Sequence, residues 1–185
     1  WPRQRRKATH GDGRCLGVTF EAETGPRIGT VNAKTLELTK MINREIRQAT
    51  QDLDFRWSSI QINVDSYSEP HTDANNLGAY FLFLLGDFDG GAFHMADQSI
   101  ILDTPGILVT FDGTKPHYSD PFAGRRVSVV AFVHNAYTQF KGTDLKQLES
   151  MGFVLPDPID NVNTKERNVH PTEGCGGSST AGSGG

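Results

Sequence analysis

The hydrophobic period of this chain changes once, and that change limits what it can fold into. Between residues 33 and 53, Leu38, Met41, Ile42, Ile46, Ala49 and Leu53 recur at threes and fours with charge between them. This is the stripe of a helix that buries one face. Asn32 stands where an N-cap belongs. From Ile60 the period falls to two. Ile60, Ile62 and Val64 alternate with Ser59, Gln61 and Asn63, as in a half-buried strand. Residues 79–85 are continuously apolar and aromatic, which suits a strand covered on both faces. Further strands are expected over 92–96, 99–102, 107–111 and 127–133. Turns are expected at Gly86-Asp87, Asp89-Gly90-Gly91, Asp103-Thr104-Pro105-Gly106, Asp112-Gly113 and Ala123-Gly124. Short strands at near-regular spacing behind one helix predict a mainly β fold, an antiparallel sandwich or barrel with flanking helices.

Outside that block the signals are sparser. Among residues 1–33 only 16–20 reads as a strand, and 143–151 reads as a short second helix. Beyond Pro156 the chain turns polar and ends in GCGGSSTAGSGG, the composition of a flexible linker or tail. The expected division is an N-terminal arm and first strand over 1–33, a domain over 33–155 and a polar Gly/Ser-rich tail over 156–185. A length of 185 residues fits one domain with tails. The opening WPRQRRK lacks the apolar core of a signal peptide, so the chain is read as part of a longer protein with other domains. Mean hydropathy is −0.43, and the longest apolar run is too short to span a bilayer; no membrane partner is expected. A net charge of −4 argues against general affinity for polyanions. The basic cluster Arg3, Arg5, Arg6 and Lys7 reads as a solvated arm of the kind that also touches nucleic acid. Cys15 and Cys175 make neither a disulfide framework nor a zinc knuckle. A reducing, intracellular compartment, cytoplasmic or nuclear, is the expectation.

The chemistry concentrates in Glu69-Pro70-His71-Thr72-Asp73, directly after a strand. His71 and Asp73 are two apart, so in extended backbone they project to one side. An imidazole and a carboxylate can then share one ion. His117, past the strand at 107–111 and the turn Asp112-Gly113, is the natural third ligand. Two histidines and a carboxylate occupy one face of an octahedron and leave three positions open, which suits iron(II), a bidentate oxo-acid and dioxygen. A structural zinc site would fill its coordination with protein ligands. Downstream, Arg126, Ser128 and Val130 share one face of a strand, while Val127, Val129 and Ala131 share the other. An arginine aimed into an apolar barrel is costly unless an anion meets it. A guanidinium fork beside a hydroxyl suits a carboxylate.

The order His71-x-Asp73, His117, Arg126-x-Ser128 resembles the H-x-D…H…R-x-S signature of the iron(II)/2-oxoglutarate-dependent dioxygenases. The likeness runs over residues 60–133 and includes the Gly90-Gly91 step and a prolyl-hydroxylase-like order of elements. It implies a double-stranded β-helix (jelly roll) with a supporting helix before it, at residues 33–53. It implies iron(II) held by His71, Asp73 and His117, and 2-oxoglutarate held by Arg126 and Ser128. It also implies dioxygen as the second co-substrate and ascorbate as a supporting reductant. The implied reaction turns 2-oxoglutarate into succinate and carbon dioxide and hydroxylates a substrate C–H bond. Related enzymes often use an Asn or Tyr before the first ligand to bond 2-oxoglutarate, which marks Asn63 and Tyr67. The H-x-D-x-x-N of TET and J-binding-protein oxygenases places an asparagine near the target base, and Asn76 matches it. Asn75 stands where TET enzymes carry histidine.

Other residues have plainer readings. Trp57, Phe81, Phe83, Phe111 and Phe132 are expected in the core. Arg125 points opposite Arg126 and is expected to be solvated or salt-bridged. His94 reads as pocket wall or surface strand, His134 as a polar strand end, and Asp87 and Asp89 as turn residues. Glu69 is expected to face away from the ligand pair. The substrate classes in view are a methylated nucleobase, hence nucleic acid as partner, and a protein (prolyl-type) side chain. Two further readings stand beside the oxygenase: a cupin-like binding module without catalysis, which has no need of a buried Arg126, and a zinc hydrolase, which needs a general acid or base.

Overall fold

The structure, a computed structural model, describes residues 9–29 and 32–157. The basic cluster at the start, Cys175 and His170 lie outside them. Two strands, β1 (Thr9–Glu21) and β2 (Gly25–Ile28), precede helix α1 (Ala33–Ala49). Seven strands follow: β3 (Ser59–Ser68), β4 (Asn76–Gly90), β5 (Phe93–Met95), β6 (Ile101–Leu102), β7 (Leu108–Phe111), β8 (His117–Ser119) and β9 (Phe122–His134). A 3₁₀ turn (Asn135–Gln139) and helix α2 (Thr143–Ser150) complete the described chain.

The strands form two sheets. The larger has the order β2-β1-β3-β9-β4-β7 and the smaller β6-β5-β8. Every pairing is antiparallel. This is the mainly β jelly roll that the spacing of strands and turns anticipates. No described helix is long and apolar enough to cross a membrane.

The period-two pattern sorts side chains to the two faces of the larger sheet. Ile60 and Ile62 of β3, Phe81 of β4, and Val129 and Ala131 of β9 share a core with Ile42 and Ile46 of α1. Tyr80, Leu82 and Leu84 of β4 face the other way, into a second core with Phe93, Met95, Leu102, Phe111 and Phe132. The strand expected to be covered on both faces is so covered. Trp57, Phe81, Phe111 and Phe132 are buried, and Phe83 packs partly buried against the helix-side core.

Helix α1 starts as read. The Asn32 side chain accepts from the Thr35 N–H at 3.1 Å, and the Asn32 N–H donates to Thr35 Oγ1 at 2.8 Å, a reciprocal cap. It ends at Ala49, not at residue 53. The Thr50 N–H and hydroxyl both turn back onto the Ile46 carbonyl, and Leu53 is left 55% exposed in the turn beyond.

Three expected turns fall wholly or mostly in strand: Gly86-Asp87, Asp89-Gly90-Gly91 and Ala123-Gly124. β4 and β9 pair straight through them, with Gly86 opposite Arg126, Asp87 opposite Arg125 and Gly90 opposite Phe122. Gly86 and Gly124 have φ of 118° and 100°. A Cβ on either would lie 2.1 Å or 2.4 Å from a carbonyl oxygen of the facing strand. These glycines permit close backbone approach within a long antiparallel pair, which a turn pattern mimics. Strand β2 and strand β8 are additions. Each is too short to carry an alternation of its own.

Candidate active site

Between the two sheets lies a cavity lined by Asn63, Tyr67, His71, Asp73, His117, Arg126 and Ser128, among others. Seven of the residues singled out from the sequence therefore share one space. Asn75 and Asn76 do not line it.

At one end stand His71, Asp73 and His117, whose ligand atoms all lie within 4.8 Å of one another. Backbone fixes them. His71 and His117 exchange reciprocal N–H···O=C bonds of 3.0 Å, and the Asp73 N–H donates to the Gly113 carbonyl at 2.9 Å. His117 is on β8, a short strand of the smaller sheet, so its position is set by pairing rather than by a loop. The imidazoles are oriented alike. Nδ1 of His71 sits 2.8 Å from the Glu69 carbonyl, and Nδ1 of His117 sits 2.8 Å from the Lys115 carbonyl. An imidazole that donates from Nδ1 keeps the Nε2 lone pair for a metal. Burial holds His117 below the usual histidine value, against the smaller opposing effect of the Lys115 carbonyl bond. The ring is thus kept neutral, as a ligand must be. Two imidazoles and one carboxylate, half open to the cavity, fit iron(II) with positions left for other ligands.

At the other end stands Arg126, only 3% exposed. Nη1 donates to the Ser66 carbonyl at 3.0 Å. Phe88 and Phe122 flank the guanidinium, each ring centre 5.7 Å away. Burial pushes its pKa down to about 10. Arg126 Nε and Ser66 Oγ are buried with no hydrogen-bond partner. Buried donors without partners are rare and costly, and here two line one cavity. A buried cation in the wall of this cavity, beside the Ser128 hydroxyl, calls for an anion, so the residues present fit a 2-oxoglutarate carboxylate.

The floor between the two ends is polar. Gln61 Nε2 donates to Asn63 Oδ1 at 3.0 Å, and Asn63 Nδ2 donates to Ser128 Oγ at 3.1 Å. With its oxygen accepting from Asn63, the Ser128 hydroxyl proton remains free to donate. Gln61, Ser66, Ser68 and Ser119 also line the cavity and were not singled out from the sequence. The alternation of β3, which puts Gln61 and Asn63 on one face, was the available signal for Gln61. None existed for Ser119, which lies on the unread strand β8.

Asn76 is 9% exposed, and its amide donates to the Tyr80 hydroxyl. It borders a separate open cleft with Leu77, Thr110 and Asp112. Asn75 is exposed, and its carbonyl accepts from the Asn135 N–H. His94 pairs with Asp120 at 2.6 Å and stacks on Tyr118, away from the cavity. The His134 ring accepts from the Ala136 N–H and caps the 3₁₀ turn. Arg125 is salt-bridged to Asp65 at 3.1 Å. Asp87 and Asp89 are exposed.

No family model matches the chain, and no curated protein matches it. Solved structures do. NgTET1 in complex with 5mC DNA is 17% identical with a TM-score of 0.55, over 89% of this chain and 70% of that one. An oxidoreductase of the 2OG-Fe(II) oxygenase family from Burkholderia pseudomallei is 21% identical with a TM-score of 0.52, over 71% and 70%. At these identities the likeness is one of fold, and the fold of this chain is the jelly roll of the 2-oxoglutarate/iron(II) oxygenases.

Proposed function

We propose that this chain is an iron(II)- and 2-oxoglutarate-dependent dioxygenase that hydroxylates a C–H bond of its substrate. The observation that carries the reading is one cavity with a His-Asp-His cluster at one end and a buried, under-satisfied arginine at the other. His71, Asp73 and His117 would hold the metal. Arg126 and Ser128 would hold the far carboxylate of 2-oxoglutarate, with Asn63 and Tyr67 beside it. Iron bound there supplies the activation of dioxygen that couples loss of carbon dioxide to C–H oxidation.

The chain's own part is binding and geometry. Arg126 and the Ser128 hydroxyl present only donors, which selects a carboxylate over an amide. Asn63 fixes that hydroxyl by occupying its oxygen. The Glu69 and Lys115 carbonyls hold the two imidazoles in the ligating tautomer. Phe93, Phe111 and Phe132 wall the cavity and exclude water from the reacting centre.

For the substrate we propose a methylated nucleobase. The support is the similarity of fold, over most of the chain, to an enzyme crystallised with 5mC DNA. The test is succinate formation from iron(II), ascorbate and 2-oxoglutarate under air. Parallel reactions contain a methylated oligonucleotide, an RNA, a proline-rich peptide or no substrate. Succinate that vanishes in His117→Ala establishes the oxygenase, and stimulation by the methylated oligonucleotide alone establishes the substrate class. Stimulation by the peptide instead would replace nucleobase by protein side chain. Absence of 2-oxoglutarate binding would refute the oxygenase and leave a cupin-like binding module.

A further inference from the structure

Strands β3 and β9 pair regularly as far as Val64 and Val127. There the ladder stops, because the next residue of β3, Asp65, has a φ of 48°. A residue with a Cβ enters this left-handed region at a cost, and such outliers collect at functional sites. The register of β1 against β3 breaks at the same place, between His10 and Asp12. Gly11, with a φ of 96°, fills the gap, and a Cβ on it would lie 2.3 Å from the Asp65 carbonyl oxygen. The strands thus share a bulge, a device that re-aims groups beside a site.

What it re-aims is Arg126. The Asp65 carboxylate reaches across to β9, where Oδ1 accepts from the Arg126 backbone N–H at 3.0 Å. In doing so it replaces the carbonyl that a regular ladder would have supplied. The carbonyl of the next residue, Ser66, has no register partner in β1 or β9 and accepts from Arg126 Nη1 at 3.0 Å. Backbone and guanidinium of one arginine are therefore held by two consecutive residues of one kink. The contact of Asp65 with Arg125 does not account for the bulge. Arg125 is 79% exposed, and exposed ion pairs hold little.

We infer that Asp65 is a positioning residue for Arg126: the bulge it forms with Gly11 aims the guanidinium into the cavity and so sets how tightly 2-oxoglutarate is held. The inference rests on the oxygenase reading proposed above.

Two substitutions separate this role from a structural one. Asp65→Gly removes the carboxylate and tolerates the left-handed backbone. Asp65→Asn also tolerates it and keeps an oxygen for the Arg126 N–H. The readouts are 2-oxoglutarate binding by calorimetry with manganese(II) in place of iron, the split between KM for 2-oxoglutarate and kcat, and amide exchange at Arg126. Asp65→Gly is expected to weaken binding and raise KM roughly tenfold, about 1.4 kcal/mol, with kcat at saturation within about twofold. Exchange at the Arg126 amide is expected to speed up, with Asp65→Asn in between and Arg125→Ala unchanged. Should Asp65→Gly not fold, Asp65→Asn carries the test. Binding and exchange that match the wild type in both Asp65 variants, while Arg126→Met weakens binding, overturn this inference and leave the oxygenase reading intact. A wild-type protein that binds no 2-oxoglutarate overturns both.

Discussion

The two ends of the cavity meet the same physical problem, burial of a cationic or potentially cationic group, in opposite ways. At the metal end His117 is buried and gives up its proton, since desolvation lowers its pKa. At the other end Arg126 is buried and stays charged at neutral pH, with a pKa pushed down only to about 10. The first solution is local: each imidazole is steered by a carbonyl two residues back in its own chain segment. The second draws on three strands, with Asp65 of β3 on the arginine's backbone N–H and Ser66 of β3, Phe88 of β4 and Phe122 of β9 on its guanidinium. A group that can neutralise itself needs only orientation. One that cannot needs a built environment, and here that environment is still short of partners for Nε.

The largest effect should come from breaking the local end. His117→Ala removes one of three ligands, and titration with cobalt(II) should show metal affinity falling by more than ~100-fold, beyond the loss typical of an outer-shell change. Because the ring is held by backbone pairing of β8, the fold should survive. Arg126→Met breaks the other end and should split two properties. Affinity for 2-oxoglutarate should fall about 10- to 100-fold, as for loss of a buried charged hydrogen bond. The protein without ligand should become more stable by about 1–3 kcal/mol, because a desolvated charge is replaced by an apolar chain. A thermal melt that moves downward instead would show that the aromatic pair and the Ser66 carbonyl already compensate the charge.

How much was legible follows the same division. His71, Asp73 and His117 stand out in the sequence because their geometry is short-range, two positions apart or at a strand end, and a metal constrains residue type. Arg126 and Ser128 stand out because strand alternation places them inward among valines. Asp65 was invisible. Its role depends on a φ that the sequence does not display and on a glycine of another strand. Strand β8 was invisible because three residues cannot show a period. Asn76 illustrates the limit of a motif. Its match to a base-reading asparagine is a matter of spacing, whereas its buried amide donates to the Tyr80 hydroxyl.

Between the two ends, the turn that supports Asp73 can be tested by volume alone. The Gly113 carbonyl holds the Asp73 N–H, and a Cβ at Gly113 would stand 2.3 Å from Tyr80 Cζ. That ring is itself packed between Phe111 and Phe132 and cannot yield. Gly113→Ala should therefore displace the turn, costing about 1–3 kcal/mol of stability as overpacking does. Metal affinity should drop with it, while binding of 2-oxoglutarate through Arg126 is disturbed less. Equal losses at both ends would deny that they are supported separately.

The smallest effect is the one that tests the contrast of charge directly. A histidine whose folded pKa lies below its unfolded value near 6.5 takes up a proton more readily in the unfolded chain. Its contribution to stability is then complete above that value and is lost as pH falls through the folded pKa. For His117 burial is the largest influence and outweighs the opposing hydrogen bond to the Lys115 carbonyl, so the metal-free protein should melt lower as pH drops below about 6.5. The change should be modest, about 2–4 °C or less for a domain of this size. His117→Gln, which has no proton to accept, should flatten that part of the profile, whereas Arg126→Met should leave it in place, since the arginine stays protonated throughout this range. A profile unchanged in His117→Gln would mean that His117 is not the group that gives up charge on folding, and the two ends of the cavity would no longer differ in the way they carry it.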